Sequence, residues 1–354
     1  MPQLVRSVEG LAHAGPIWQM GFMAFTPVQS AMALALAGRS EDGLQQLRDG
    51  QARHDPEAFL FEGLWQLEGR FLPRDLNAAR QSLARAAELG HMGAARTLAG
   101  IIACGIAAPP DWPGAIRILT EWSDRDPIAA KQLELIGRMD VDENGAPAKG
   151  FLPSVVSVDP RIERVNGLLT DDECAFLVEL AEPRMKRATI FHEAEQRFVE
   201  DPIRRSHRAG FPIVSEWPFV RAINRRIASA TGTNIDCGEP LQVLRYGPEQ
   251  EYRPHVDAIE GMDNPRVLTA LVWLNDHYSG GETRFDELGL SERGRTGDLL
   301  LFANTLADGG PDPRVRHSGA PVTSGVKYLA SRWIRARPPG EAGFGRHEVE
   351  RSGS

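Results

Sequence analysis

The sequence predicts a multidomain α + β chain in which an α-helical repeat region precedes a β-rich domain with flanking helices. Roughly the first 140 residues are rich in alanine and leucine and repeat weakly with a fixed period. From Leu241 onwards, short strand-like runs alternate with turns. The predicted boundaries are 1–140 for the repeats, 141–156 for an acidic, Gly- and Pro-containing linker, 157–338 for the β-rich domain and 339–354 for a flexible tail.

The repeat region has an internal register of 36 residues. A fixed period in this range is typical of stacked helical hairpins, although a plain alanine-rich bundle is the ordinary alternative. Gly90 is a candidate C-cap for the helix that this register contains. The residues that coincide in this register are Ala58 with Ala94, Asp75 with Asp111, Ala79 with Ala115, Leu83 with Leu119, and Leu47 with Leu83.

One segment of this region, AARQSLARAAELGH, resembles the end of a Sel1-like repeat, a relative of the tetratricopeptide repeats. The resemblance covers about residues 25–140. It implies a surface that recruits a protein partner or, as the alternative, forms a homodimer.

The composition of the chain disfavours several classes of function. The chain has 354 residues, of which 42% are hydrophobic and 25% charged, so it can bury a sizeable core. The net charge of -8 disfavours binding to a nucleic-acid backbone. Three isolated cysteines, Cys104, Cys174 and Cys237, form no CxxC pair and therefore predict neither a disulfide framework nor a zinc ribbon. We expect a cytoplasmic protein.

No apolar run reaches the roughly eighteen residues of a membrane-spanning helix, so we expect no membrane partner. The stretch Val28–Gly38 has the composition of a signal sequence, but it begins late and lacks a basic cluster before it. We interpret it as a buried helix.

Two helices are predicted ahead of the strands. Leu168–Leu180 carries Thr170 and Glu173 at the positions of a capping box, and Trp217–Ser229 ends before a Thr-Gly pair. The runs LQVLRY, RVLTALVWLN, GDLLLF and VKYLASRWIRAR then predict an all-β barrel or jelly roll.

The first candidate site is the pair His255 and Asp257. Residues two apart on a strand project to the same face, so an imidazole and a carboxylate share one cavity. A distant histidine, His317, would complete a 2-His-1-carboxylate set that leaves three positions on Fe(II) open. His-x-Asp alone is weak, because a surface histidine beside a turn aspartate is common.

Lys327 follows His317 by ten residues, which can bring both side chains to one barrel mouth across a hairpin. A buried lysine there would need an anionic partner, whereas a solvated lysine beside a turn would not.

Five ordered blocks together resemble the prolyl 4-hydroxylase-like branch of the 2-oxoglutarate/Fe(II)-dependent dioxygenases. The resemblance covers about residues 155–338 and implies a double-stranded β-helix, or jelly roll. The matching residues are Tyr246, Tyr252, His255 and Asp257; Arg266, Thr269, Leu271, Leu274 and Asn275; Gly280, Gly281, Glu282, Thr283 and Phe285; Gly297, Asp298 and Phe302; and His317, Gly319, Pro321, Val322, Gly325, Lys327 and Trp333.

The resemblance implies roles for individual residues. The two histidines and Asp257 would bind Fe(II), and Lys327 would pair with the C5 carboxylate of 2-oxoglutarate. Tyr246 and Thr283 would contact the same co-substrate. Dioxygen is the second co-substrate and ascorbate a further expected reductant. Residues expected around the metal or the substrate are Trp273, Tyr252, Trp333 and Arg266.

Two residues depart from the family pattern. Glu249 stands where the family commonly has glycine, so the loop before the metal strand is expected to differ. Trp273 replaces a tyrosine that often holds the co-substrate carboxylate. An indole only donates, so we expect that contact to be lost or moved to Thr283.

The implied activity is hydroxylation of an unactivated carbon, with prolyl residues of a peptide or protein as the first substrate class. A free amino acid or small natural product is the alternative, and a non-catalytic repeat adaptor is a second one. The segment Ala188–Arg208 is either a charged lid over the substrate or an ordinary solvated loop. Its charged residues include Glu193, Glu195, Arg197, Arg204, Arg205 and Arg208.

Overall fold

A computed structural model describes residues 26–192, 197–200, 205–258 and 260–340. The chain divides into two compact units. The first extends to Arg138 and also takes in Ile213–Arg221, and the second comprises Met139–Pro212 and the chain from Ala222 onwards. The predicted tail, 339–354, lies outside the described residues apart from its first two positions, 339 and 340.

Helices make up most of the first unit. The segment that resembles a signal sequence is the first of them and begins with a capping box on Thr26, which confirms that it is helical. No helix among the described residues is long and apolar enough to cross a membrane. The helices are α1 Pro27–Leu36, α2 Ser40–Ala52, α3 Pro56–Glu68, α4 Leu76–Glu88, α5 Met92–Cys104, α6 Trp112–Trp122 and α7 Pro127–Arg138.

The 36-residue register is visible in the helix ends. Asp75 caps α4 by accepting from the Ala78 N–H, and Asp111 caps α6 by accepting from the Gly114 N–H. Helices α3 and α5 each stop at a glycine in the left-handed conformation, Gly69 and Gly105. The hairpins α3–α4 and α5–α6 are therefore successive copies of one unit. The alanines and leucines that coincide in this register are buried.

Two helices accompany the sheets of the chain's second half. Helix α8, Asp171–Ala181, has the predicted capping box between Thr170 and Glu173. Helix α9, Pro218–Thr231, lies where the second flanking helix was predicted. Between them, β4 (Thr189–His192) and β5 (Arg197–Glu200) pair as a hairpin within the segment predicted as a lid or a solvated loop. Residues 193–196 and 201–204 of that segment lie outside the described residues.

The jelly roll consists of a large and a small antiparallel sheet. The strands are β1 Ser154–Ser157, β2 Ile162–Val165, β3 Lys186–Arg187, β4 Thr189–His192, β5 Arg197–Glu200, β6 His207–Phe211, β7 Leu241–Tyr246, β8 Tyr252–His255, β9 Arg266–Trp273, β10 Tyr278–Gly280, β11 Thr283–Phe285, β12 Leu290–Glu292, β13 Leu299–Ala303, β14 His317–Gly319, β15 Val322–Gly325 and β16 Lys327–Arg335. The large sheet has the order β1-β2-β13-β9-β16-β7-β6-β3 and the small sheet β12-β11-β14-β8. Strand β10 pairs with β15.

The core of the second unit draws its side chains from both sheets. Leu271 and Leu300 come from the large sheet, and Phe285 comes from the small one. Alternation along the strands directs these residues inward. The fold class is therefore confirmed: α-helical hairpins followed by a jelly roll with flanking helices.

Candidate metal centre and co-substrate cavity

The two histidines meet because β8 and β14 are neighbours in the small sheet, and Asp257 lies in the bend just after β8. The register places His317 directly opposite His255. Nε2 of His255 lies 3.6 Å from Oδ1 of Asp257, and Nε2 of His317 lies 3.7 Å from Oδ2. One ligand atom from each residue lies within 4.8 Å of the others, and among the described residues this is the one such group that could hold a metal. Two imidazoles and a carboxylate suit Fe(II).

Main-chain carbonyls orient both imidazoles. Nδ1 of His255 lies 2.8 Å from the Arg253 carbonyl, and Nδ1 of His317 lies 3.1 Å from that of Val315. A carbonyl only accepts, so each Nδ1 carries the proton and each Nε2 presents a lone pair to the centre. The ligands are thus preset for metal binding.

Aromatic rings fix the planes of the two imidazoles. Tyr252 stacks on His255 with ring centroids 3.5 Å apart. Phe285 and Phe302 lie 5.6 and 4.7 Å from the ring of His317. Burial lowers the pKa of His317 to about 4, with His255 adding to the effect and Asp257 opposing it. His317 is therefore neutral at pH 7, as a metal ligand must be.

Asp257 is a buried carboxylate that stays ionised. Burial by itself raises its pKa, but the two neighbouring histidines and a hydrogen bond from Thr269 outweigh burial and hold the pKa well below its usual range. The Thr269 hydroxyl donates to Oδ2 over 2.6 Å. The hydroxyl in turn accepts from Nδ2 of Asn304 over 2.8 Å.

Lys327 is a buried cation at the start of β16. It is not joined to His317 by the predicted hairpin, because β14 lies in the small sheet and β16 in the large one. Its Nζ donates to the Gly281 carbonyl over 2.6 Å, and its side chain is almost entirely shielded from solvent. Among the described residues no carboxylate forms an ion pair with it. Burial lowers its pKa to about 8, with Glu282 opposing that shift and Arg293 adding to it. A desolvated ammonium of this kind calls for an anion.

One cleft of about 510 Å³, including its open mouth, contains both the triad and Lys327. Alternate residues of β16, from Lys327 through Leu329 and Ser331 to Trp333, form one wall. Leu244, Leu271 and other apolar side chains also line the cleft. Of the remaining predicted site residues, Tyr246, Tyr252 and Thr283 also line the cleft.

Trp273 and Arg266 were predicted near the metal or the substrate, but neither lines the cleft. Trp273 is fully buried in the core between the sheets and does not line the cleft. Its indole packs over Gly294, where an added Cβ would come within 2.2 Å of the ring. Thr283 therefore lines the cleft, whereas Trp273 does not.

Arg266 belongs to a buried ion-pair cluster behind the cleft wall. Its guanidinium donates two hydrogen bonds of 2.7 and 2.9 Å to Glu239, and Arg335 donates to the same carboxylate over 2.8 Å. Arg266 also stacks 3.6 Å from the ring of Trp333. Arg332 donates to main-chain carbonyls that include that of Glu239. Neither Arg266 nor Arg332 lines the cleft, which leaves Lys327 as the cation in its described lining.

We predict that Glu239→Gln strongly destabilises the protein. The change keeps the size of the side chain but leaves two buried guanidinium groups without a counter-charge, which typically costs about 3–5 kcal/mol. The measurement is the urea midpoint. Glu134→Gln is the matched control, because its partners Lys131 and Arg138 are exposed and such pairs contribute at most about 1 kcal/mol. Equal midpoints for the two variants would show that the cluster does not stabilise the fold.

Glu249 occupies the loop before β8 with a φ of 62°. This is the left-handed conformation that glycine adopts without strain. Its N–H also donates to the Val322 carbonyl over 2.8 Å. The loop therefore has a glycine-like backbone although a glutamate occupies the position.

Comparison with known proteins agrees with this geometry. A model of the 2OG-Fe(II) oxygenase superfamily matches residues 241–335, which contain the triad and Lys327. Prolyl 4-hydroxylase 1 of Arabidopsis thaliana is 34% identical over 204 residues, which cover 52% of this chain and 72% of that protein. The chain belongs to the 2OG-Fe(II) oxygenase superfamily. As such an oxygenase it is an enzyme that uses Fe(II), with 2-oxoglutarate and dioxygen as co-substrates.

Two solved structures are also similar to parts of this oxygenase. The viral collagen prolyl hydroxylase of Paramecium Bursaria Chlorella virus-1 is 26% identical, with a TM-score of 0.40 over 50% of this chain and 96% of that chain. A Sel1 repeat protein from Oxalobacter formigenes is 21% identical, with a TM-score of 0.28 over 32% of this chain and 50% of that chain. The Sel1-like character of the helical hairpins stays a prediction.

The sequence did not reveal the groups that hold the ligands in place. Thr269 lies in a recognised block, but nothing in that block shows that its hydroxyl reaches Asp257. Asn304 and the Arg253 and Val315 carbonyls carry no sequence signal. They act through tertiary contacts that only the strand pairing creates.

Proposed function

We propose that this oxygenase hydroxylates prolyl residues in a peptide or protein. The observation that carries the proposal is the similarity to prolyl 4-hydroxylase 1 of Arabidopsis thaliana, which extends beyond the metal-binding blocks to 204 residues. The triad and Lys327 in one cleft supply the machinery that such a reaction needs.

In this proposal His255, Asp257 and His317 hold Fe(II), as their neutral imidazoles and ionised carboxylate suit that ion. With 2-oxoglutarate and dioxygen, the iron supplies the oxidation that places one oxygen atom on the substrate carbon, while the other oxygen atom and the co-substrate become succinate and carbon dioxide.

Lys327 pairs with the far carboxylate of 2-oxoglutarate, and the Gly281 carbonyl keeps its ammonium aimed in one direction. Tyr246 and Thr283 are polar groups of the same lining, suited to hydrogen-bond the co-substrate. The leucines of the lining exclude water, which strengthens the ion pair.

We propose that the helical hairpins recruit the protein that carries the target proline, with a homodimer contact as the alternative role. The use of ascorbate and a cytoplasmic location stay predictions.

The test is 2-oxoglutarate turnover across matched substrates. We expect the enzyme with Fe(II) to form succinate with proline-containing peptides and to add one oxygen atom to proline, detected by mass spectrometry. The same peptides with alanine in place of proline are the control and should stay unmodified. Turnover of free L-proline or another free amino acid, with all peptides inert, would replace this proposal by the small-molecule alternative.

A further inference from the structure

Asn304 follows β13 and contacts two parts of the metal centre. Its side chain is about 1% exposed and donates to the Thr269 hydroxyl, which is equally buried and donates to Asp257. Its main chain joins β9 through a hydrogen bond from its N–H to the Val267 carbonyl over 2.9 Å. Asn304 is therefore fixed against the strand that carries Thr269.

The hydrogen bonds that connect Asn304 through Thr269 to Asp257 can run in only one direction. A threonine hydroxyl has one proton and an ionised carboxylate can only accept, so the proton of Thr269 must point at Asp257. The partner of Thr269 on its other side must then donate, and the Asn304 amide does so. Without that donor the hydroxyl could turn away, and Asp257 would rotate more freely.

The main chain of Asn304 is connected through Asp312 and Val315 to His317, the ligand on β14. The Asn304 carbonyl accepts from the N–H of Asp312 over 2.9 Å and so closes the loop between them. Asp312 caps the short helical turn Pro313–Val315. The carbonyl of Val315 at the end of that turn holds Nδ1 of His317. One buried residue thus connects to both Asp257 and His317.

We propose that Asn304 is a positioning residue that sets the geometry of the metal ligands, with Thr269 transmitting the effect of its side chain. The inference rests on the proposed metal site. It adds that metal affinity depends on Asn304 and Thr269, which lie outside the triad. Buried groups that orient metal ligands typically contribute about 10–100-fold to metal affinity.

The experiment measures the affinity of the metal-free full chain for Mn(II) by electron paramagnetic resonance, independently of activity. We expect Thr269→Val to weaken binding about 10–100-fold and Thr269→Ser, which keeps the hydroxyl, to bind nearly as the unaltered chain does. Asn304→Leu should weaken binding as well. In the Thr269→Val background, Asn304→Leu should add little, because its side chain acts through the hydroxyl that is already gone.

Thr231→Val is the matched control. Thr231 is also a buried threonine, but its hydroxyl bonds to its own helix α9 and to Thr233. The Thr231→Val variant should be less stable than the unaltered chain but should bind Mn(II) with the same affinity. Equal affinity in Thr269→Val and the unaltered chain, or full additivity of the two changes, would overturn the positioning role. Asp257→Ala, measured in parallel, shows separately whether the triad is the metal site.

Discussion

Replacing Asp257 with alanine should abolish divalent-metal binding, with a loss of Mn(II) affinity of more than about 100-fold. Groups that only orient a ligand already contribute about 10–100-fold, and Asp257 is the single charged member of the triad. The two remaining imidazoles are neutral donors that rarely hold this ion alone. His255→Ala and His317→Ala should each remove most binding as well. Equilibrium dialysis of the metal-free protein against Mn(II) measures the affinity.

The matched control for the histidine changes is His277→Ala. His277 lies in the turn before β10, and its side chain is 95% exposed. It should bind Mn(II) as the unaltered protein does. Unaltered affinity in Asp257→Ala would remove this residue from the metal site and, with it, the triad assignment.

Replacing Lys327 with methionine should raise the dissociation constant of 2-oxoglutarate by two to four decades while leaving Mn(II) affinity nearly unchanged. Methionine keeps the length of the side chain and removes its charge, so one carboxylate of the ligand enters the cleft without its counter-charge. Such a loss typically costs about 3–5 kcal/mol. Calorimetric titration of 2-oxoglutarate into the Mn(II)-loaded protein gives the constant.

The metal-free methionine variant should be at least as stable as the unaltered protein, since it no longer buries an ammonium. Lys327→Arg should recover part of the affinity, because the charge returns on a larger, planar group. An unchanged dissociation constant in Lys327→Met would mean that another cation anchors the ligand.

A pH series provides an independent check on Lys327. Its pKa of about 8 means that the ammonium is present at pH 7 and is lost as the pH rises through that value. Affinity for 2-oxoglutarate should therefore fall above about pH 8, by up to tenfold per pH unit. Lys327→Arg should show no such fall, because a guanidinium keeps its charge throughout this range.

Much of the site could be predicted because its signals are local. His255 and Asp257 share one cleft as their spacing predicted, although β8 ends at His255 and Asp257 lies in the bend after it. The single hairpin predicted between His317 and Lys327 was wrong, because β14 and β16 belong to different sheets that meet at the cleft. The capping box of Thr170 and Glu173 depends on neighbouring residues alone. The capping box therefore appears in the structure where the sequence placed it.

What the sequence could not show depends on non-local pairing. Arg266 and Thr269 are three apart and would face opposite ways in a regular strand. The pairing of β9 with β16 shifts register between Ile334 and Arg335. Beside this irregularity Arg266 stacks on Trp333 and donates to Glu239. The link from Asn304 to Asp257 also requires β13 to lie beside β9.

The dependence of 2-oxoglutarate binding on metal tests the central claim most directly. Calorimetric titration without substrate or dioxygen compares the full chain loaded with Mn(II) and stripped of it. If the triad and Lys327 form one co-substrate site, binding with Mn(II) should be at least about tenfold tighter than without it, because the near end of the ligand then has a cation to bind. Equal affinity in both states would contradict a shared site.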